Sequence, residues 1–240
     1  MLKKPSKVSI LSALSILIAA PLCVVLCFML MDRKSYYAAA VFLILCAIIP
    51  FFAFFEKRKI KTGEIVTVAI MTALAVASRC VMMFVPQVKP TCALVAVSGI
   101  AFGPNVGFLI GALSMLLSNF VFGQGMFTPF QMLGMGLVGF FSGAIFCGKK
   151  YATNKWIVSI TVGLLCFAVY GFAADSCSVL MLSTNLSVKS ALTFYASGLT
   201  FNIIHGVTTA VLLFFINKPM TDKFSRLRIK YGIFQRTQEL

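Results

Sequence analysis

Polar side chains are scarce in this sequence, so the few that interrupt its apolar runs are the first candidates for chemistry. The stretch Gly99–Gly143 reads GIAFGPNVGFLIGALSMLLSNFVFGQGMFTPFQMLGMGLVGFFSG, and within it Asn119, Gln124, Thr128 and Gln131 flank a turn at Gly123-Gln124-Gly125. Positions that face lipid do not ordinarily carry amides. Four such groups at one end of two apolar runs, with Phe127 among them, read as the floor of a binding site, and the chemistry they offer is noncovalent recognition. Further along, Tyr170 and Asp175 sit in another apolar run. A carboxylate at that depth is costly without a partner, which leaves structural pairing and ligand binding as the two readings for Asp175. In the last apolar run Tyr195, Gly198, Asn202, His205 and Thr209 recur at spacings of three and four and share one helix face. His205, the only histidine, is either a hydrogen-bonded packing residue or a ligand group. Pro86-Gln87-Val88-Lys89-Pro90-Thr91 cannot be helical throughout. It is a solvated loop or a lid that holds Gln87 and Lys89 over the site.

Other chemistry has little to work with. There are six acidic residues in all, and of these only Asp175 lies well inside an apolar run. Walker A, HExxH and GxSxG patterns are absent from the sequence. An intramembrane enzyme would have to use His205 as a base oriented by Asp175, and a ligand-free scaffold would leave the clustered amides unexplained. The eight cysteines are scattered with no CxxC pair, which indicates neither a metal site nor a disulfide framework. Cys80 and Cys92 flank one loop and could meet, although buried thiols acting as small apolar residues are the simpler reading.

The elements that position these residues are membrane spans. The chain has 240 residues, 60% hydrophobic and 11% charged, and a span needs roughly 20 apolar residues. Apolar runs are placed at about 9–31, 36–55, 63–85, 91–103, 106–121, 128–147, 156–182 and 190–217, eight in number with the fourth and fifth short. The first lacks a small-x-small cleavage site and is retained as a helix. The net charge of +15 is explained by placement. Lys3, Lys4, Lys7, Lys57, Arg58, Lys59, Lys61, Lys149, Lys150, Lys155 and the six lysines and arginines from Lys218 to Arg236 fall on one side. Only Arg33, Lys34, Arg79, Lys89 and Lys189 fall on the other. The positive-inside rule then puts both termini in the cytoplasm of a multi-pass cell-membrane protein, and no nucleic-acid partner is implied. Three parts follow: a transmembrane hairpin and basic linker at 1–62, a core at 63–217, and a basic tail at 218–240 lying along the inner surface.

Small residues mark the contacts between spans. Gly103, Gly107 and Gly111 lie four apart, as do Gly139 and Gly143, and such strips let helices approach closely, while Gly103-Pro104-Asn105 also reads as a sharp inner turn. Ala69, Ala73 and Ala77 form a similar strip on the first core helix, for packing within the chain or for docking on another membrane subunit.

From Ala69 to Gly143 the alanine strip, the proline-rich loop, GIAFGPNVGFLIGAL and FGQGMFTPFQMLGMGLVGFFSG resemble the substrate-binding S components of energy-coupling factor (ECF) vitamin transporters. The likeness extends over about residues 63–217. It implies an all-α membrane protein with a six-helix core, to which the hairpin at 1–62 is an addition. It also implies an import subunit that is not an enzyme. Such a subunit binds a vitamin or cofactor precursor, docks on a membrane coupling subunit with two ATPases, and topples to release its cargo. No cofactor is held by this chain, and ATP is used by the partner subunits. The resemblance assigns Ala69, Ala73 and Ala77 to docking and the loop Pro86–Thr91 to covering the ligand. The pocket falls to Gln87, Lys89, Asn119, Gln124, Phe127, Gln131, Tyr170, Asp175 and Asn202, with His205 deeper. Cobalamin or a related corrinoid is the first expectation for the ligand, from the FGQG region, followed by a queuosine precursor or a pyrimidine-type vitamin.

Overall fold

The computed structural model describes residues 61–85, 88–182 and 188–234. The expected N-terminal hairpin therefore lies outside the described residues, as does Gln87. What is described is helical, in the order expected. α1 is Thr62–Val81, α2 Thr91–Phe102, α3 Pro104–Phe122, α4 Thr128–Phe146, α5 Lys155–Leu165, α6 Gly171–Leu182 and α7 Val188–Tyr231. α5 and α6 form one span, joined by a π-helical stretch at Cys166–Tyr170. Among the described residues five helices are long and apolar enough to cross a membrane.

α2 is the exception, and its shortness has a physical counterpart. Twelve residues at about 1.5 Å each fall well short of a hydrocarbon core of about 30 Å. All of its residues except Leu94 are buried, so it is apolar on every side because protein surrounds it. Gly103 (φ 107°) ends α2, and Pro104 opens α3 directly, which places the two helices side by side. Gly103 thus serves the turn and does not belong to the packing strip expected from its spacing.

The other glycines do pack. A Cβ on Gly139 would fall on the Gly107 carbonyl, one on Gly111 would meet the Met135 carbonyl, and one on Gly143 would meet Pro104. The α3–α4 seam is therefore backbone against backbone, and it brings the C-terminus of α3 and the N-terminus of α4 to one end of the bundle. Gly139→Ala is expected to cost about 1–3 kcal/mol by overpacking this seam, seen as a lower melting temperature in detergent. An unchanged melting temperature would contradict such close packing.

The boundary expected at 218 falls inside α7. Ile216, Met220 and Phe224 continue its packing stripe onto the core, so the helix runs on to Tyr231. Phe224 and Phe234 then flank Phe102 at ring distances of 5.0 and 4.8 Å. Arg228 donates to the Ala101 carbonyl at 2.9 Å, Lys61 Nζ to the Gly232 carbonyl at 2.7 Å, and the Phe234 amide to Glu64 Oε1 at 2.6 Å. These bonds close the basic end of the bundle. The candidate site lies at the opposite end.

Candidate ligand-binding site

One residue organises that end. Arg79, in the last turn of α1, is 5% exposed although it carries a full charge. It lies on the face of α1 that buries Val68, Met71, Thr72 and Ala75. Its Nη1 donates to Asn119 Oδ1 at 2.8 Å and to Ser118 Oγ, and approaches Met115 Sδ at 3.8 Å. The Phe122 ring stacks against the guanidinium at 4.6 Å. Among the described residues no carboxylate pairs with Arg79, and its Nε and Nη2 make no hydrogen bond. A buried guanidinium facing only neutral partners retains both positive charge and donors for something else.

The amides are built onto this arginine. Asn119, wholly buried, accepts from Arg79 and donates through Nδ2 to Thr128 Oγ1 at 3.0 Å and Gln131 Oε1 at 2.9 Å. Thr128 in turn donates to Gln124 Oε1 at 3.0 Å and accepts from the Gly125 amide, while Gln124 Nε2 reaches back to the Leu116 carbonyl at 2.9 Å. The four polar residues expected around the turn thus form one network. Within it Gln124 is exposed and fixes the turn, whereas half-buried Gln131 keeps Nε2 uncommitted among the described residues. Phe127 is half-buried and packs on the core beside Gly125.

Lys89 stands at the same end with its ammonium 5.9 Å from the Phe201 ring. Burial first, and the Arg79 charge second, hold that ammonium below its ordinary pKa. Tyr170 is buried within electrostatic reach of Arg79 and makes an edge contact with His205 at 5.1 Å. The site therefore offers donors in excess of acceptors.

Asp175 is 9% exposed. Asn202 donates to its Oδ2 at 2.7 Å, and its carboxylate lies over Gly198, where any side chain would collide with it. Gly171 makes room for Asn202 in the same way. Of the two readings left open for Asp175, the structure favours pairing, which locks α6 to α7. Asn202→Ala is accordingly expected to lower the melting temperature, because it strips the buried carboxylate of its donor at about 1–3 kcal/mol. Equal stability would mean that Asp175 finds another partner. His205 does not join this pair, since neither ring nitrogen has a hydrogen-bond partner among the described residues. The carboxylate-oriented base that an enzyme would need is not assembled.

Residues 59–222 match the family model described as ECF-type riboflavin transporter, S component. This chain belongs to that family. The match covers more than half of the sequence, from α1 into α7. No curated protein and no solved structure matches significantly. The S component is thus a membrane transport subunit of a non-enzymatic family, with a substrate-binding role. On its α1, the expected docking residues Ala69, Ala73 and Ala77 are all exposed, between exposed Ile65, Val66, Ile70 and Leu74. Among the described residues nothing packs on this strip.

Proposed function

We propose that this S component captures a small planar heterocyclic vitamin at the Arg79 end of its bundle, and that partner ATPases power its import. The observation that carries the reading is Arg79, buried within a network of amides with Nε and Nη2 uncommitted among the described residues. Donors from Arg79, Gln131 and Lys89 suit a ligand edge rich in carbonyl oxygens. The rings of Phe127, Tyr170 and Phe201 supply apolar surface near them. Such a mixture, mostly apolar with a few fixed polar groups, is what small-molecule sites use.

Riboflavin is the first ligand to test, because the family description names it and because its ring system presents such an edge. Cobalamin, expected from the FGQG region, gains no support from that description. The FGQG residues themselves serve the α3–α4 turn: Gly123 ends α3 at φ 97° and Gln124 ties the turn to Leu116. A queuosine precursor or a pyrimidine-type vitamin shares the donor-matching edge and remains the competitor. Loop residues Gln87 and Lys89 would close over the ligand. The exposed alanine strip would then meet the membrane coupling subunit, which carries two ATPases.

The test is mass spectrometry of small molecules retained on the gently purified chain, with fluorescence titration of the emptied chain by riboflavin. One equivalent of a flavin, quenched on binding, supports the reading. A retained pyrimidine or deazapurine would keep the site and replace the ligand. Failure to bind any of the panel would overturn the site. Gln131→Ala is expected to weaken the bound ligand about 10-fold, since it removes one neutral donor worth about 1–1.5 kcal/mol. Wild-type affinity in this variant would move the ligand away from α4.

A further inference from the structure

Three donors outside the amide network come together from three different helices. Cys92 opens α2, Cys166 begins the π-helical stretch after α5, and His205 lies mid-way along α7. Their ligand atoms all lie within 4.8 Å of one another, and the residues are 0%, 1% and 2% exposed. Among the described residues neither buried His205 ring nitrogen has a hydrogen-bond partner, while Tyr170 and Phe201 present ring edges or faces to the imidazole. Buried polar atoms in native folds are nearly always satisfied, so two orphaned nitrogens beside two thiols point to an absent partner.

We propose that Cys92, Cys166 and His205 form a site for a thiophilic metal ion, with Zn2+ as its occupant. Soft sulfur and imidazole donors select this class over Mg2+ or Ca2+, which take oxygen ligands. Charge decides within the class. Each thiol gives its proton to water as its sulfur takes the metal, and two thiolates with a neutral imidazole then leave a Zn2+ site with no net charge in an apolar interior. Zinc-bound donor atoms sit roughly 3.5–3.8 Å apart, so side-chain shifts of about 1 Å close the set. Thr209 already donates to Cys166 Sγ at 3.5 Å, the kind of outer hydrogen bond that orients a metal thiolate. The π-helical stretch shifts the helical register at Cys166, and such bulges recur at functional sites. The ion would tie α2, the α5–α6 span and α7 together beside Tyr170. The expected absence of a metal site rested on adjacent-cysteine spacing, which says nothing about donors from separate helices.

The experiment is titration of the full, reduced, metal-free chain in detergent with Co2+, a coloured stand-in for zinc. One equivalent is expected to produce a sulfur-to-cobalt charge-transfer band that Zn2+ abolishes, and Zn2+ is expected to raise the melting temperature of the wild type, saturating at one per chain. The band is expected to disappear in Cys92→Ser, Cys166→Ser and His205→Ala and to persist in Cys80→Ser. Absence of the band from the wild type, or its persistence in Cys166→Ser, overturns the site. No thermal response of the wild type to Zn2+ does so too, independently of how the variants fold. Binding of Cu+ but not Zn2+ overturns the charge argument and the ion assigned by it. None of these outcomes depends on which vitamin the S component carries.

Discussion

Arg79→Met is expected to lower affinity for the transported ligand at least 100-fold, the largest loss from any single side chain at the site. Hydrogen bonds to a charged donor contribute about 1.5–3 kcal/mol, and a 100-fold change corresponds to about 2.7 kcal/mol. Methionine keeps an unbranched apolar stem, shorter than that of arginine, so packing is partly retained while the charge and every donor are lost. Part of the effect is internal. Asn119 Oδ1 and Ser118 Oγ lose their shared donor, so the network that orients Gln131 through Asn119 Nδ2 loosens. Arg79→Lys separates the two contributions, because it restores the charge without the planar fork. Lysine is expected to recover stability and only a small part of the affinity. The measurement is riboflavin titration beside thermal unfolding for both variants. Affinity preserved in the methionine variant would show that Arg79 is structural and that the ligand lies elsewhere.

Much of the fold was legible because membrane spans announce themselves by length and apolarity. Apart from the end of α7, the expected starts and ends of the core helices fall close to the observed ones, and glycine spacing marked Gly107, Gly111, Gly139 and Gly143, which pack in the α3–α4 seam. Some signals have two physical causes. Gly103 shares the four-residue spacing of the strip and also opens the Gly103-Pro104-Asn105 turn, and its positive φ at the end of α2 bears out the turn. The region beyond 218 looks polar in composition, yet Phe224, Ile233 and Phe234 pack on the core.

The site was legible in part. Asn119, Gln124, Thr128 and Gln131 were visible as misplaced amides, but Arg79 was counted merely as one positive charge among those of the less basic side. The signal for it was available. Arg79 follows Ala75 by four and Thr72 by seven residues, on the face of α1 opposite Ala69, Ala73 and Ala77. If the alanines face outward, the arginine must face in. The meeting of Cys92, Cys166 and His205 had no such signal, because three donors on three helices leave no spacing to read.

That same geometry makes the second large effect an expected loss of transport without loss of binding. Ala69→Leu/Ala73→Leu is expected to abolish uptake of the vitamin in cells while leaving ligand affinity of the purified chain within about twofold. The two alanines are exposed on a face where apolar neighbours Ile65, Val66, Ile70 and Leu74 are also exposed, so leucines there disturb no contact among the described residues. In a bilayer, apolar exposure by itself gives helices no reason to associate. Small residues do, by letting two backbones come close enough for dispersion contacts along their length. Two leucines hold a partner helix several ångströms away and remove those contacts together. Arg79 lies on the buried face of the same helix, so under the proposed function ligand capture on one side and partner docking on the other would share a single rigid element. Uptake at the wild-type rate in the double variant would exclude docking through this strip. Loss of ligand affinity in the purified variant would mean instead that the outer face of α1 supports the site itself.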